Sequence, residues 1–446
     1  MGYLTIDDVI KACKGRLLGE YDTSRQVIGA KVDSREVKPG NVFFAGKGER
    51  TDGFNFIGKA FEAGAACVVC EREPEEGMGP CILVEDAYQA LRDVATAYRK
   101  RLTIPVVGIT GSVGKTSTKE AIAAVLSAKY RVSKTEGNFN NQIGVPLTVM
   151  AITMEHEAAV VEMGISDFGE MEVLAEIAKP DICVITNIGF CHLEQLGTRE
   201  GILKAKSEMW YHRNSKGAVI LNGDDDLLGG IFDADGTKPT MFGFSEGCDY
   251  RISDVKLRGL MGVDFSLNDR HFSTNMPGEH SVMNAACGAA VGYALGLTHE
   301  EIARGLKLQK PLAGRANIMD KNGVMVIDDC YNANPVSMKK GIELLCLSDT
   351  RKVAILGDMF ELGEKSASYH AGVGEFVDES SVDLLITVGE LSKNISDACK
   401  SSRINKVHFD TVEELTASLG KYIKKGDAVL VKASHGMHLE RVIEAL

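Results

Sequence analysis

The sequence predicts an α/β protein of three domains, built mostly on parallel sheets. Three observations carry this. Short continuous runs rich in Val and Ile recur at 105–109, 158–161, 182–186, 218–221, 352–356, 384–388 and 428–431, as expected of strands buried on both faces of a parallel sheet. Helical patterns such as 116–129 and 337–345 lie between them, which is the βαβ rhythm. The chain has 446 residues, about three domains at ordinary domain size.

Composition narrows the class. Hydrophobic residues make up 44% and charged residues 25%, ordinary for a globular protein and too apolar for a disordered one. A net charge of -12 argues against a chain that wraps nucleic acid or coats an anionic membrane. No apolar run is long enough to cross a membrane. The N-terminus carries two acids and no cleavage pattern, and reads as a folded start rather than a signal peptide. The eleven cysteines are odd in number and irregular in spacing, and Cys67 and Cys70 form a C-x-x-C without a second pair. Reduced thiols and a cytoplasmic location are expected.

In order along the chain, residues 1–84 hold short strands and Gly-rich turns, including Lys38-Pro39-Gly40 and Asp52-Gly53. A helix over 87–101 leads into a large central unit, residues 85–312. Within it the stretch 247–277 alternates apolar and polar residues (Tyr250, Ile252, Val255, then Val263, Phe265), which predicts an antiparallel hairpin before the helix at Ser281. The helical pattern breaks over 309–317, and a new α/β series starts at Val324, so the last domain is set at 313–446.

The sharpest chemical signal is Gly108-Ile-Thr-Gly111-Ser112-Val113-Gly114-Lys115-Thr116-Ser117. It follows a strand and opens a helix, where backbone N–H groups and the helix start converge on phosphate oxygens. Lys115 would reach the outer phosphates and the Thr116 hydroxyl would hold Mg²⁺. The P-loop pattern places its first Gly at position 109, which here is Ile; Gly108 and Gly111 supply the turn instead. Glu162 ends the run 158–161, where a second oxygen ligand for Mg²⁺ belongs, although a strand-end acid is as often a surface charge. The next run leads through Thr186-Asn187-Ile-Gly189 to His192, a loop histidine with no clear role by itself.

Together, Gly-Lys-Thr, the strand-end Glu, Thr-Asn-Ile-Gly with its His, and Lys204-Ala-Lys206-Ser-Glu resemble the Mur ligase family over essentially the whole chain. The resemblance implies an N-terminal uridine-nucleotide-binding α/β domain, a central P-loop parallel-sheet ATPase domain and a C-terminal Rossmann-like α/β domain. It implies an ATP-dependent amide-bond ligase, with UDP-N-acetylmuramoyl-tripeptide and D-alanyl-D-alanine as partners. It makes Thr116 and Glu162 Mg²⁺ ligands, His192 a ligand of a second Mg²⁺, and Lys206 the bearer of a CO₂-derived carbamate. Ser34 and Arg35 in Asp33-Ser34-Arg35-Glu36 would meet the uridine nucleotide. Asn138 and Asn141 in the Asn-rich stretch after Gly137 would bind substrate. Asn284 would contact the adenine, Arg315 the γ-phosphate, and Asp329 and Asn332 the nucleotide. A monomer is expected.

Two readings compete with this. A sister ligase would take another amino acceptor, as third-residue or folyl-polyglutamate ligases do. Ser34-Arg35 counts against the folyl type, and the lack of an Asp-Asn-Pro-Arg motif counts against the third-residue type. A P-loop NTPase switch would hydrolyse nucleotide without needing an amine. One departure from the family pattern stands near the C-terminus, where Lys432-Ala-Ser434-His435 occupies the place of Lys-Gly-Ser-Arg.

Overall fold

The computed structural model describes residues 3–48, 51–75, 77–214 and 217–446. They gather into two compact units: Met1–Ser253 with Ser266–Arg270 and Met283–Leu308, and Asp254–Phe265 with His271–Val282 and Gln309–Leu446.

The first unit opens with the helix Ile6–Cys13, started by a capping box in which Thr5 Oγ1 accepts from Asp8 N–H and Asp8 Oδ2 accepts from Thr5 N–H. A five-stranded sheet follows, in the order Arg16–Leu18, Cys81–Leu83, Cys67–Cys70, Val42–Ala45, Ala30–Lys31. Its first pair is antiparallel and the others parallel. Cys67, Cys70 and Cys81 are buried in these strands as small apolar thiols. The helix Ala87–Arg99, capped by Asp86, sends Leu91, Val94 and Tyr98 into the unit's main core. Its last residue, Arg99, is 5% exposed. Its guanidinium donates to Ala178 O and pairs with Asp181 at 3.1 Å, so the buried charge is hydrogen-bonded and paired.

The larger sheet of this unit places Val106–Thr110 at its heart, between Ile182–Ile185 on one side and Ala158–Glu162 on the other, all parallel. Val132–Lys134 flanks the second; Ala218–Asn222 and Thr240–Gly243 continue beyond the first. The runs read from sequence coincide with these strands to within one residue at each end. Register sets Glu162 beside Ile109 and Ile185 beside Thr110, so three strands end together, which is where open α/β sheets bind ligands.

The segment predicted as a hairpin holds three strands, Tyr250–Leu257, Val263–Leu267 and Arg270–Thr274. The third follows because Asn268 and Asp269 take φ of 48° and 62°, the two left-handed residues of a tight hairpin turn.

The second unit carries a six-stranded sheet in the order Asn317–Lys321, Val324–Asp328, Ala428–Lys432, Lys352–Gly357, Leu384–Val388, Asn405–Phe409. All but the first pair run parallel. The last strand in sequence, Ala428–Lys432, inserts between Val324–Asp328 and Lys352–Gly357. Two apolar layers cover the faces of this sheet, one built with Met338, Ile342 and Val373, the other with Leu415, Leu419 and Val442.

Candidate active site

The turn after Val106–Thr110 is shaped by two glycines. Gly114 caps the helix Lys115–Leu126 with φ 79°, a left-handed conformation that a side chain would strain. Gly111 passes so close to Thr186 that a Cβ would stand 2.0 Å from Thr186 Oγ1. The loop after Ile182–Ile185 is then stitched to the turn. Ser112 N–H donates to Asn187 O at 3.0 Å and Val113 N–H to Asn187 Oδ1 at 3.0 Å. Asn187 Nδ2 and Thr186 Oγ1 both donate to Val113 O, and Gly189 N–H donates to Ser112 Oγ at 2.8 Å. The N–H groups of Ser112 and Val113 thus both donate to Asn187, and the helix that starts at Lys115 follows directly. Lys115 Nζ donates to Gly111 O at 2.7 Å.

Thr116 and Glu162 meet: Thr116 Oγ1 donates to Glu162 Oε1 at 3.2 Å. Asn140 Nδ2 donates to the same oxygen at 2.9 Å, and Glu162 N–H donates to Thr135 Oγ1. Glu162 is 1% exposed, yet its Oε2 has no hydrogen-bond partner among the described residues. Lys119 Nζ lies 3.9 Å from it. A buried carboxylate oxygen left without a donor, next to a buried hydroxyl, is a hard oxygen pair that fits Mg²⁺.

Lys206 lies on the helix Arg199–Tyr211 and is 1% exposed. Burial, then the charge of Lys115, pushes its amine down to about 7. A neutral amine is the form that attacks CO₂, so this environment suits a carbamate. His192 is exposed, with φ 60°, at the start of the short helix Leu193–Leu196; the loop that carries it is the one stitched to the glycine turn. Asn284 Oδ1 accepts from Thr118 Oγ1 at 2.8 Å, which sets it one turn along the helix that Lys115 opens. Ser117 is half-buried on that same helix.

Two predicted contacts are occupied locally. Asn141 Oδ1 caps the helix Gly144–Met150 by accepting from Ile143 and Gly144 N–H, while Asn138 is exposed. Arg35 is 87% exposed at its side chain and folds back on Asp33, whose carboxyl it holds below the usual range. Ser34 opens the short turn that carries it.

In the second unit, Lys432 is 1% exposed. Its ammonium pairs with Asp329 Oδ2 at 2.6 Å and donates to Asn332 O at 3.0 Å. Burial raises the Asp329 carboxyl, with Lys432 pulling the other way. The Arg315 guanidinium lies 4.0 Å over the Tyr331 ring, a cation–π contact, and Tyr331 neighbours His435 at 5.8 Å between centroids.

Lys119 was not singled out from sequence; Asn140 and Lys432 stood only as members of the Asn-rich stretch and of the Lys432-Ala-Ser434-His435 block, with no role of their own. Lys119 had a signal: it stands one turn beyond Lys115 on a helix face otherwise lined by apolar and small residues. The tie of Asn140 to Glu162 joins residues 22 positions apart and had no local signal.

A central parallel sheet, a glycine turn closing on a helix start, and a further α/β unit define a nucleotide-binding α/β architecture. Three profiles of one family match: the Mur ligase family catalytic domain over residues 27–132, the Mur ligase middle domain over 109–292, and the Mur ligase glutamate ligase domain over 314–435. The chain belongs to the Mur ligase family. It is similar to the UDP-N-acetylmuramoyl-tripeptide–D-alanyl-D-alanine ligase of Bacillus subtilis, at 38% identity covering 99% of this chain and 98% of that one. A crystal structure of MurF from Acinetobacter baumannii matches with TM-score 0.89 and 30% identity over 100% of this chain and 98% of that one. The MurF ligase of Thermotoga maritima in complex with ADP matches with TM-score 0.80 and 34% identity, over 94% and 96%.

Proposed function

We propose that this chain is an ATP-dependent ligase that joins D-alanyl-D-alanine to UDP-N-acetylmuramoyl-tripeptide in peptidoglycan precursor synthesis. The observation that carries the reading is the meeting of Thr116 with Glu162 at the helix start that Lys115 opens, in a chain similar along almost its whole length to ligases of that name.

ATP phosphorylates the terminal carboxylate of the tripeptide, giving an acyl phosphate. The amine of the dipeptide then attacks, and phosphate leaves. Lys115 neutralises charge on the transferring phosphoryl group, and the helix start orients it. Thr116 and Glu162 would hold one Mg²⁺, and His192 with carbamylated Lys206 a second. A Mg²⁺ ion held there would supply positive charge to offset that of the transferring phosphoryl group. Asn140 and Lys119 orient the Glu162 carboxylate. Asn284, Arg315, Asp329 and Asn332 are proposed as nucleotide contacts, and Ser34, Arg35, Asn138 and Asn141 as contacts to the UDP-linked substrate; Arg35 must leave Asp33 to serve. No helix among the described residues is long and apolar enough to cross a membrane, and we place the reaction in the cytoplasm, carried out by a monomer.

The test is phosphate release with ATP, Mg²⁺, the UDP-linked tripeptide and D-alanyl-D-alanine, omitting each in turn. Release that needs all four, with a product heavier by one dipeptide unit, is expected. Release without any amine would replace the ligase reading with that of an NTPase, and release only with another amine would make it a sister ligase.

A further inference from the structure

His370 takes no part in the mechanism above, yet it is 0% exposed, on the helix Ser366–Glu379. Met359 N–H donates to its Nε2 at 2.9 Å. A ring nitrogen that accepts from an N–H carries no proton, so the ring's proton sits on Nδ1, 2.8 Å from Ser366 O, which accepts it. The neighbours thereby set one tautomer of the ring, turned toward the main chain of Met359.

Met359 is the middle of three consecutive residues held from three directions. Asp358 Oδ1 accepts from Ser392 N–H at 2.7 Å, and Asp358 O accepts from Ser434 N–H at 3.0 Å. Phe360 N–H donates to Ser434 Oγ at 2.8 Å. The next residue, Glu361, turns the chain with φ 61°. Phe360 is left 41% exposed, its ring so near Gly436 that a Cβ there would lie 3.1 Å away. All this happens at the carboxyl ends of Lys352–Gly357 and Ala428–Lys432, adjacent parallel strands, where open α/β sheets receive ligands.

We propose that His370 is a positioning residue for the amino substrate: it fixes the turn at Asp358–Glu361 so that Phe360, with the Ser434–Gly436 turn, forms the surface that receives the incoming dipeptide. The inference rests on the ligase reading above, in which ATP and the uridine substrate have been given residues and the dipeptide has been given none. The dipeptide carries two methyl groups and one carboxylate. An exposed phenyl ring braced on a glycine suits the methyls, and His435, the residue before that glycine, offers a polar partner.

Steady-state kinetics of the full chain separate this from a merely structural role. In His370→Leu the Met359 N–H loses its acceptor, and the KM for D-alanyl-D-alanine is expected to rise about tenfold while those for ATP and the UDP-linked tripeptide stay within about twofold. His370→Gln, whose Oε1 accepts from Met359, is expected to restore the dipeptide KM to within about threefold of wild type. A lower melting temperature with an unchanged dipeptide KM, or three KM values rising together, would overturn the proposal. Should His370→Leu fail to fold, Ser434→Ala removes the acceptor for Phe360 N–H and is expected to show the same selective rise; its absence there overturns the proposal equally. A wild-type chain that ligates a different amine, with a selective rise for that amine in His370→Leu, would uphold His370 and overturn the dipeptide.

Discussion

The ammonium of Lys119 stands 3.9 Å from Glu162 Oε2, and both side chains are 2% exposed. Lys119 spends its hydrogen bond on Thr135 O at 2.5 Å, and Glu162 Oε1 is shared by Thr116 and Asn140. The cation therefore offsets the burial of the carboxylate without occupying its second oxygen. That oxygen has no hydrogen-bond partner among the described residues, which suits the proposed metal site.

Glu162→Gln keeps the shape and an acceptor for Thr116 but removes the negative charge. Turnover is expected to fall about 10²-fold or more, with the Mg²⁺ concentration for half-maximal rate shifted upward. Magnesium titration of the steady-state rate measures both, and an unshifted titration would remove Glu162 from the metal site.

Lys119→Met leaves a buried carboxylate unpaired. A loss of about 3 kcal/mol in stability is expected, seen as a lower denaturant midpoint for the first unit. A variant as stable as wild type would mean that Asn140, Thr116 and the main chain suffice to hold Glu162.

Lys115→Ala removes the cation at the helix start. ATP turnover is expected to fall by about three orders of magnitude, and an equilibrium ADP titration should weaken. Normal turnover would end the phosphate-binding assignment.

The carbamate proposed on Lys206 would tie modification to acidity. Its amine lies at about 7 against the ordinary 10.5. Between those values the folded chain binds fewer protons at this group than the unfolded chain, so its contribution to stability rises with pH across that window and is flat below it. The neutral fraction rises about tenfold per pH unit below pH 7 and then levels. Incorporation of labelled bicarbonate, normalised to dissolved CO₂ and read by carbon NMR, should follow that curve. Lys206→Ala is expected to be nearly inactive and partly restored by a short-chain carboxylic acid; full activity without it would exclude a role.

Arg35→Ala is expected to raise the KM for the UDP-linked substrate about tenfold with little change for ATP. Because Arg35 is exposed and paired to its neighbour Asp33, stability should hold within about 0.5 kcal/mol. An unchanged KM would place the uridine nucleotide elsewhere.

How far sequence reached depended on the range of the interaction. The strand Val106–Thr110, the turn at Gly111–Gly114 and the helix Lys115–Leu126 are local, and apolar runs with glycine spacing reveal them. The strand order is not local: that Ala428–Lys432 would insert between two strands far earlier in the chain is decided by packing. The same divide runs through the site. Thr116 and Glu162 could each be named from its place at a helix start or strand end. Asn140 on Glu162, Asn187 on the glycine turn, and Lys432 on Asp329 join residues whose partners lie 22 to 103 positions away, and no window of sequence holds both. Asn141 shows the reverse: a residue chosen for its amide spends its oxygen capping the next helix.

The stitching of Ser112 and Val113 to Asn187 also has a consequence for biosynthesis. On the ribosome the chain emerges N-terminus first, so the glycine turn appears long before the loop that shapes it. The nucleotide grip can mature only once residues through Gly189 have left the exit tunnel. Until then ATP has no finished site to bind and adds nothing to the stability of what has already folded.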